Sequence, residues 1–178
     1  MRGDLNLMLA GFGGQGLLFA GKVTAYAGLM EGREISWLPS YGPEMRGGTA
    51  NCSVCVSDNP IGSPLILNPN ALIAMNLPSF DKFIDTVVPG GTVLVDSTMV
   101  EKTTERTDIN VFYVPATKMA DDNGIKGLAN IILLGKLYKE MQFCPFEALM
   151  KGLEKCVPAS KAAMLESNKK ALQLGMDF

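Results

Sequence analysis

One short segment near the N-terminus constrains the fold of this chain more than any other. Residues 11–16 read Gly-Phe-Gly-Gly-Gln-Gly and follow an apolar run, residues 5–10, that is typical of a short buried strand. A helical pattern over residues 15–30 comes next, with small side chains where a helix can lie close to a sheet: Gly21, Ala25 and Gly28. The order strand, glycine loop, helix predicts an α/β unit in which the loop lies beyond the carboxyl end of the strand.

The rest of the chain alternates strand-like and helix-like segments. Further strands are predicted at residues 35–38, 49–57, 71–75, 92–95 and 109–114, with Pro39 ending the first of these. Helices are predicted to begin at Pro78 and Pro145 and to cover residues 125–141 and 159–174. Without a repeat or linker, we expect residues 1–178 to form a single domain: an α/β fold with a three-layer, mostly parallel, Rossmann-like sheet and a helical C-terminal third.

The composition bounds the partners of the chain. Charged residues make up 19% of the sequence, below the roughly 25% usual for soluble domains, and there are 11 methionines. This favours a surface partly covered by other subunits, the alternative being a well-filled core. The net charge of −2, the lack of a Lys/Arg run and the short apolar stretches favour neither nucleic acid nor a membrane, so we expect a cytoplasmic protein.

The sequence contains no histidine, which excludes several chemistries at once. Ser-His and Cys-His nucleophiles and zinc sites with histidine ligands all require that residue. The pair Cys52-x-x-Cys55 lies in a predicted strand, where a spacing of three sends the side chains to opposite faces. We therefore expect Cys52 and Cys55, together with Cys144 and Cys156, to be reduced and inert, and we expect no metal site.

The glycine loop has the chemistry of an anion site. Glycines can adopt positive φ and let backbone N–H groups approach a phosphate, while the N-terminus of the following helix favours negative charge. The candidate residues are Gly11, Gly13, Gly14, Gln15 and Gly16, and the alternative is a tight turn without a ligand. A nicotinamide dinucleotide would also require a carboxylate near the end of the second strand, and residues 36–40 contain none.

A second polar segment follows the second strand. Residues 39–51 are rich in turn formers and contain an acid, a base, a phenol and a hydroxyl. Because this segment should reach the same sheet edge as the glycine loop, it supplies further candidate ligand-binding residues: Ser40, Tyr41, Glu44, Arg46, Gly47 and Asn51. Arg46 can present its guanidinium to a phosphate or carboxylate. The alternative is an exposed turn in which Glu44 and Arg46 pair weakly.

Two acidic positions have simpler interpretations than ligand binding. Asp96 ends a predicted strand at the same edge as both loops, where capping of the next turn is favoured over ligand contact. Residues 121–124, Asp-Asp-Asn-Gly, are typical of a helix end followed by a turn, because no further acid follows at the spacing of a metal loop.

The glycine loop and the segment Pro-Ser-Tyr-Gly-Pro-Glu-Met-Arg-Gly-Gly-Thr-Ala-Asn-Cys at residues 39–52 together resemble the gamma subunit of 2-oxoacid:ferredoxin oxidoreductases. The similarity extends along nearly the whole chain, through Ala-Met-Asn at residues 74–76 and Pro-Gly-Gly at residues 89–91. The segment around Glu44 and Arg46 resembles 2-oxoglutarate or branched-chain enzymes more than pyruvate enzymes.

This resemblance implies a subunit of a complex that decarboxylates a 2-oxoacid and transfers the acyl group to coenzyme A. Thiamine diphosphate, magnesium and iron–sulfur clusters would lie on partner subunits: alpha, beta and a ferredoxin-like delta. Electrons would pass to ferredoxin. The chain would have no catalytic residue and no activity alone, and its glycine loop would hold the nucleotide end of coenzyme A.

Other functions remain open at this point. A nucleotide-binding regulatory module without catalytic partners would use the same glycine loop. An indolepyruvate-type partner subunit would also share it. A stand-alone NAD- or flavin-dependent oxidoreductase is disfavoured, because both histidine and the ribose-binding acid are missing.

Overall fold

A computed structural model describes residues 3–40 and 49–178, over which strands and helices alternate. The strands are β1 Leu5–Phe12, β2 Glu34–Ser40, β3 Thr49–Ser57, β4 Ala71–Ala74, β5 Thr92–Asp96 and β6 Asn110–Val114. The helices are α1 Leu17–Met30, α2 Leu77–Phe83, α3 Ala116–Asp122, α4 Ala129–Met141, α5 Phe146–Cys156 and α6 Ala162–Asp177. The helices in this part of the chain lack the length and apolarity that a bilayer crossing requires.

The strands form one sheet in the order β2-β3-β1-β4-β5-β6. The pairs β1–β4, β4–β5 and β5–β6 are parallel, whereas β3 runs antiparallel to both of its neighbours, β2 and β1. The predicted α/β fold is confirmed, and β3 makes its sheet mixed. Strand β3 runs antiparallel to β2 because only residues 41–48 connect the two strands, whereas a parallel crossover needs a dozen or more residues.

Both faces of the sheet carry apolar side chains. On one face, alternate residues of β1 and β3 pack with α1 and α4, which in turn pack against α5 and α6. On the other face, Leu72, Val93 and Val95 pack with Phe80 of α2 and with Ile84. Residues 129–137 of α4 are all buried, which confirms the predicted helix with apolar residues nearly all round.

Glycines allow the helices to approach their neighbours closely. A Cβ atom at Gly21 would lie 2.6 Å from Cys52 Sγ, and one at Gly28 would lie 2.7 Å from a methyl group of Val56. This confirms that the small residues of α1 face the sheet. Where α6 crosses α4, a Cβ atom at Gly175 would overlap the carbonyl oxygen of Ile132.

The predicted elements differ from the structure in several places. Strand β2 continues through Pro39 to Ser40, because β2 lies at the sheet edge, where proline is tolerated. The predicted helix at residues 125–141 begins only at Ala129, since Gly127 has φ +87° and breaks the helix. Helix α3 was not predicted, although its end at Asp122 confirms the interpretation of residues 121–124 as a helix terminus.

Candidate functional site

The glycine loop connects β1 to α1 at the carboxyl edge of the sheet. Strand β1 ends at Phe12 and α1 begins at Leu17. Gly14 and Gly16 have φ values of +91° and +74°, a backbone conformation that residues other than glycine rarely adopt. The space beside Gly14 is open, because no atom of residues 3–40 or 49–178 lies within 4 Å of the position of a Cβ. The sequence therefore needs glycine at residues 14 and 16 to form this turn.

Gln15 holds the loop in shape. Its Oε1 accepts a hydrogen bond from Phe12 N at 2.6 Å, and its Nε2 donates to the carbonyl of Met75 at 3.0 Å. Gly11 lies beneath this side chain, and a Cβ atom there would overlap Gln15 Oε1. Because Met75 follows β4, Gln15 ties the ends of two neighbouring strands together. We predicted Gln15 as a ligand-binding residue, and the structure places its side chain in the loop's own support.

The backbone amides of the loop are available to an anion. Within the described part of the chain, the N–H groups of Gly13, Gly14 and Gly16 have no acceptor. Helix α1 has no side-chain cap at Gly16 and no acid in its first turn, so the positive end of its dipole is not neutralised locally. Unpaired amides and an uncapped helix N-terminus at one point can accept a phosphate.

Asn130, which the sequence analysis did not single out, anchors the other end of the loop. This residue of α4 is 3% exposed, and its Nδ2 donates to the carbonyl of Gly16 at 2.8 Å. Its Oδ1 is buried and has no hydrogen-bond partner among the described residues. A side chain at residue 16 would overlap Asn130 Nδ2, which gives Gly16 a second reason to be glycine. The sequence did contain a signal for this role, since Asn130 is a polar residue in the otherwise apolar first turns of α4.

Two clefts flank the loop, each open to solvent. The first encloses about 260 Å³ beside α1 and β3 and is lined by Phe12, Gly13, Gly14, Gly16, Leu17, Leu18 and Ala50. The second encloses about 240 Å³ beside the connection from α3 to α4; its lining includes Gly14, Gln15, Met75, Met99, Asp121 and Lys126. The glycine loop thus forms the ridge between two small, largely apolar clefts.

The register of the strands brings the second polar segment to the same edge. Asn51 pairs with Ala10 on one side and with Ser40 on the other, so both predicted residues lie level with the end of β1. Strand β3 lies between β1 and β2, so the segment that follows β2 is separated from the glycine loop by one strand. The predicted residues Tyr41, Glu44, Arg46 and Gly47 lie outside the described residues.

Asp96 has a structural role, as predicted. It is fully buried at the end of β5, and its carboxylate accepts hydrogen bonds from the amides of Thr98 and Thr117, both at 3.2 Å, and from the Thr117 hydroxyl. These bonds cap the turn after β5 and the start of α3. Asp96 is therefore unavailable to a ligand in the neighbouring cleft.

The cysteines have the properties of structural thiols. Cys52 and Cys55 are buried at opposite faces of β3, as the spacing predicted, and Cys52 packs in the core beneath α1. Burial raises the pKa of the Cys52 thiol to about 12, although a hydrogen bond from Trp37 acts in the opposite direction. Burial also raises the pKa of Cys55 and of Cys156. Over residues 3–40 and 49–178, no three acids or cysteines cluster as metal ligands.

The fold and the loop together define an α/β domain with a strand–glycine loop–helix unit at the carboxyl edge of its sheet. A family model described as pyruvate ferredoxin/flavodoxin oxidoreductase matches residues 6–178. The chain belongs to this family.

Named relatives refine this assignment. Ketoisovalerate oxidoreductase subunit VorA of Methanothermobacter thermautotrophicus is 36% identical over 175 residues, which are 98% of this chain and 36% of VorA. The chain thus spans about a third of the length of that relative. The 2-oxoglutarate synthase subunit KorC of Methanocaldococcus jannaschii is 35% identical over 156 residues, 85% of this chain and 83% of KorC.

Solved structures share the fold. The gamma subunit of a keto/oxoacid ferredoxin oxidoreductase from Geobacter sulfurreducens is 31% identical, with a TM-score of 0.82 over 99% of this chain and 97% of that one. A 2-oxoglutarate:ferredoxin oxidoreductase from Magnetococcus marinus, solved with 2-oxoglutarate, coenzyme A and succinyl-CoA, is 21% identical, with a TM-score of 0.87. That match covers 99% of this chain and 31% of the other chain, and at this identity it shows a shared fold only.

Proposed function

We propose that this chain is a single gamma-type domain of a 2-oxoacid:ferredoxin oxidoreductase complex, and that its glycine loop holds the phosphates of coenzyme A. The complex would decarboxylate a 2-oxoacid, with 2-oxoglutarate favoured, form an acyl-CoA and pass electrons to ferredoxin. The support for the reaction class is the family membership and the naming of its relatives as oxidoreductase subunits.

The observation that supports the coenzyme A site is the glycine loop. Three of its amides lack acceptors within the described residues, and it precedes an uncapped helix N-terminus. Two negatively charged phosphates of a coenzyme A pyrophosphate suit such a position. The lack of a carboxylate at residues 36–40 argues against a nicotinamide dinucleotide at the same loop.

A test of this site substitutes Gly14, whose positive φ opposes a β-branched side chain although the space around it is open. In the complex purified from the native host, Gly14→Val should weaken coenzyme A binding by roughly ten-fold or more, because the loop amides are displaced. Gly90→Val is the matched control, since Gly90 has φ +80° and open space at the opposite edge of the sheet. Equal affinities in the two variants would refute the proposal.

The proposal places thiamine diphosphate, magnesium and the iron–sulfur clusters on partner subunits. Exposed apolar residues favour such partners, because patches of this kind mark interaction surfaces. A groove of about 270 Å³ between α1 and β2 is lined by Ala25, Tyr26, Leu29, Ile35 and Trp37, of which Leu29 is 47% exposed.

Affinity purification of the tagged chain from its native host tests the partners directly. We expect thiamine-binding and cluster-binding subunits to co-purify, and Leu29→Glu to reduce their recovery if the groove between α1 and β2 contacts them. The co-purified complex should oxidise 2-oxoglutarate faster than pyruvate or 2-oxoisovalerate, whereas the separated chain should oxidise none. Recovery of the chain alone would contradict the subunit assignment and favour a regulatory nucleotide-binding module.

A further inference from the structure

Lys126 and Asp121 are charged residues that share a cleft with the glycine loop, although no sequence motif contains Lys126. Both line the cleft of about 240 Å³ that also includes Gly14 and Gln15. Neither side chain forms an ion pair or hydrogen bond with another described residue. One cation and one acid that face the same cleft, each without a partner in the described part of the chain, are available to a ligand.

The backbone that carries Lys126 is fixed in place. Ile125, the preceding residue, is 7% exposed, and its amide donates to the carbonyl of Ala120 at 3.0 Å. Gly124 and Gly127, with φ values of +69° and +87°, turn the chain on either side. Lys170 Nζ also donates to the carbonyl of Asn123 at 2.7 Å, so the segment is tied to α6. The exposed Lys126 side chain therefore extends from a well-anchored turn.

The two clefts beside the glycine loop differ in charge. The cleft beside α1 and β3 is lined by apolar and glycine residues, with no charged side chain among its described lining. The cleft beside the α3–α4 connection has Lys126 and Asp121 together with the apolar side chains of Met75, Met99 and Ala129. A pyrophosphate on the ridge between the clefts would direct one end of coenzyme A into each of them.

We infer that Lys126 binds the 3′-phosphate of coenzyme A, which places the adenosine end in the cleft with Asp121 and the pantetheine arm in the uncharged cleft. This inference rests on the proposed function of the glycine loop. A lysine ammonium is a suitable partner for a phosphate monoester, whose charge the uncharged cleft could not offset. The Asp121 carboxylate is placed to accept a hydrogen bond from the ribose 2′-hydroxyl, and the methionines offer an adaptable apolar contact to the adenine.

The test compares coenzyme A with 3′-dephospho-coenzyme A, which lacks only that phosphate. In calorimetric titrations, the wild-type complex should bind coenzyme A roughly ten-fold more tightly than 3′-dephospho-coenzyme A. Lys126→Met should remove this preference and leave the affinity for the dephosphorylated compound unchanged. Lys118→Met is the matched control, because Lys118 is a nearby exposed lysine of α3 that pairs with Asp122 at 2.6 Å and lies outside the cleft lining.

The outcomes separate this inference from the proposed function. If Gly14→Val weakens coenzyme A binding while Lys126→Met keeps the wild-type preference, or weakens both compounds equally, only the role of Lys126 is overturned. A wild-type complex that binds both compounds equally also overturns it. Unchanged binding in Gly14→Val overturns the site itself. Thermal unfolding of each variant confirms that the exposed substitution at residue 126 leaves the fold intact.

Discussion

Asn130 Nδ2 donates a 2.8 Å hydrogen bond to the carbonyl of Gly16, across a separation of 114 residues. The bond joins the C-terminal helical part of the chain to the glycine loop. It also fills the space beside Gly16, where no side chain would fit. The shape of the loop therefore depends on α4 as well as on its own glycines.

Substitution of Asn130 should lower the stability of the protein. Asn130→Leu removes the donor to Gly16 but keeps similar volume, and since Ala20 N still donates to that carbonyl at 3.1 Å, we expect a loss of about 1 kcal/mol in the free energy of unfolding. Asn130→Asp should lose at least about twice as much at pH 7, because it buries a charge against a carbonyl oxygen. Urea denaturation measures both.

The pH dependence of Asn130→Asp provides a further check. Burial should raise the pKa of the new carboxyl above its unfolded value, so the penalty is present at neutral pH. As pH falls through the raised pKa, the protonated carboxyl can donate to Gly16 O and the difference from wild type should shrink. A difference that stays constant between pH 7 and pH 4 would contradict the contact.

Gln15 should support the glycine loop through two hydrogen bonds. Gln15→Leu removes the bonds to Phe12 N and Met75 O, for which we expect a loss of about 1–3 kcal/mol in unfolding free energy and weaker coenzyme A binding by the complex. Gln173→Leu is the control, since Gln173 is exposed and its side chain donates a hydrogen bond to Asp177 on the same helix. Its effect should stay within about 0.5 kcal/mol, and comparable losses in both variants would argue against this role.

The crossing of α4 and α6 should not tolerate a methyl group at Gly175. Gly175→Ala places a Cβ atom onto the carbonyl oxygen of Ile132, so the helices must separate. Overpacking of this kind costs about 1–3 kcal/mol, and part of that is offset by the better helix propensity of alanine. Chemical denaturation should show a net loss, whereas Gly62→Ala, at an open position, should be close to neutral. A stabilised Gly175→Ala protein would contradict the close crossing.

Cys52 should resist alkylation and should make stability depend on alkaline pH. Because burial raises its pKa from 9.0 to about 12, the thiol is neutral in the folded protein at pH 8 and should not react with iodoacetamide until the protein unfolds. Between pH 9 and about 12 the unfolded state releases this proton and the folded state keeps it. The free energy of unfolding should therefore fall as pH rises through that window, and fall less steeply in Cys52→Ala.

Much of the fold was predictable because the relevant signals are local. The predicted limits of β3 agree with the structure, since alternation at residues 49–57 and the flanking turn residues mark the strand. The small residues of α1 identified the face that packs on β3. Strand pairing was not predictable in this way. The position of β3 between β1 and β2 depends on contacts between residues far apart in the sequence, and the patterns of β2 and β3 are compatible with parallel or antiparallel pairing.

The candidate site also combines a part that local sequence predicts with a part that it does not. Its glycines and Gln15 form one motif, and their conformations follow from the lack of a side chain at residues 14 and 16. Asn130, Asp121 and Lys126 come from the distant α3–α4 region, where nothing in the adjacent sequence indicates an anion site.

The sequence by itself determined the strand–glycine loop–helix unit, the lack of histidine chemistry and the inert spacing of the cysteines, since each depends on residues close together along the chain. Only the tertiary structure decided that β3 lies beside β1, that Asn130 supports Gly16 and that Lys126 faces the loop's second cleft. Those relationships arise because helices must cover both faces of the sheet, which packs α3 and α4 at its carboxyl edge. The free energy of this packing comes from contacts between distant parts of the chain, so local sequence patterns do not reveal it.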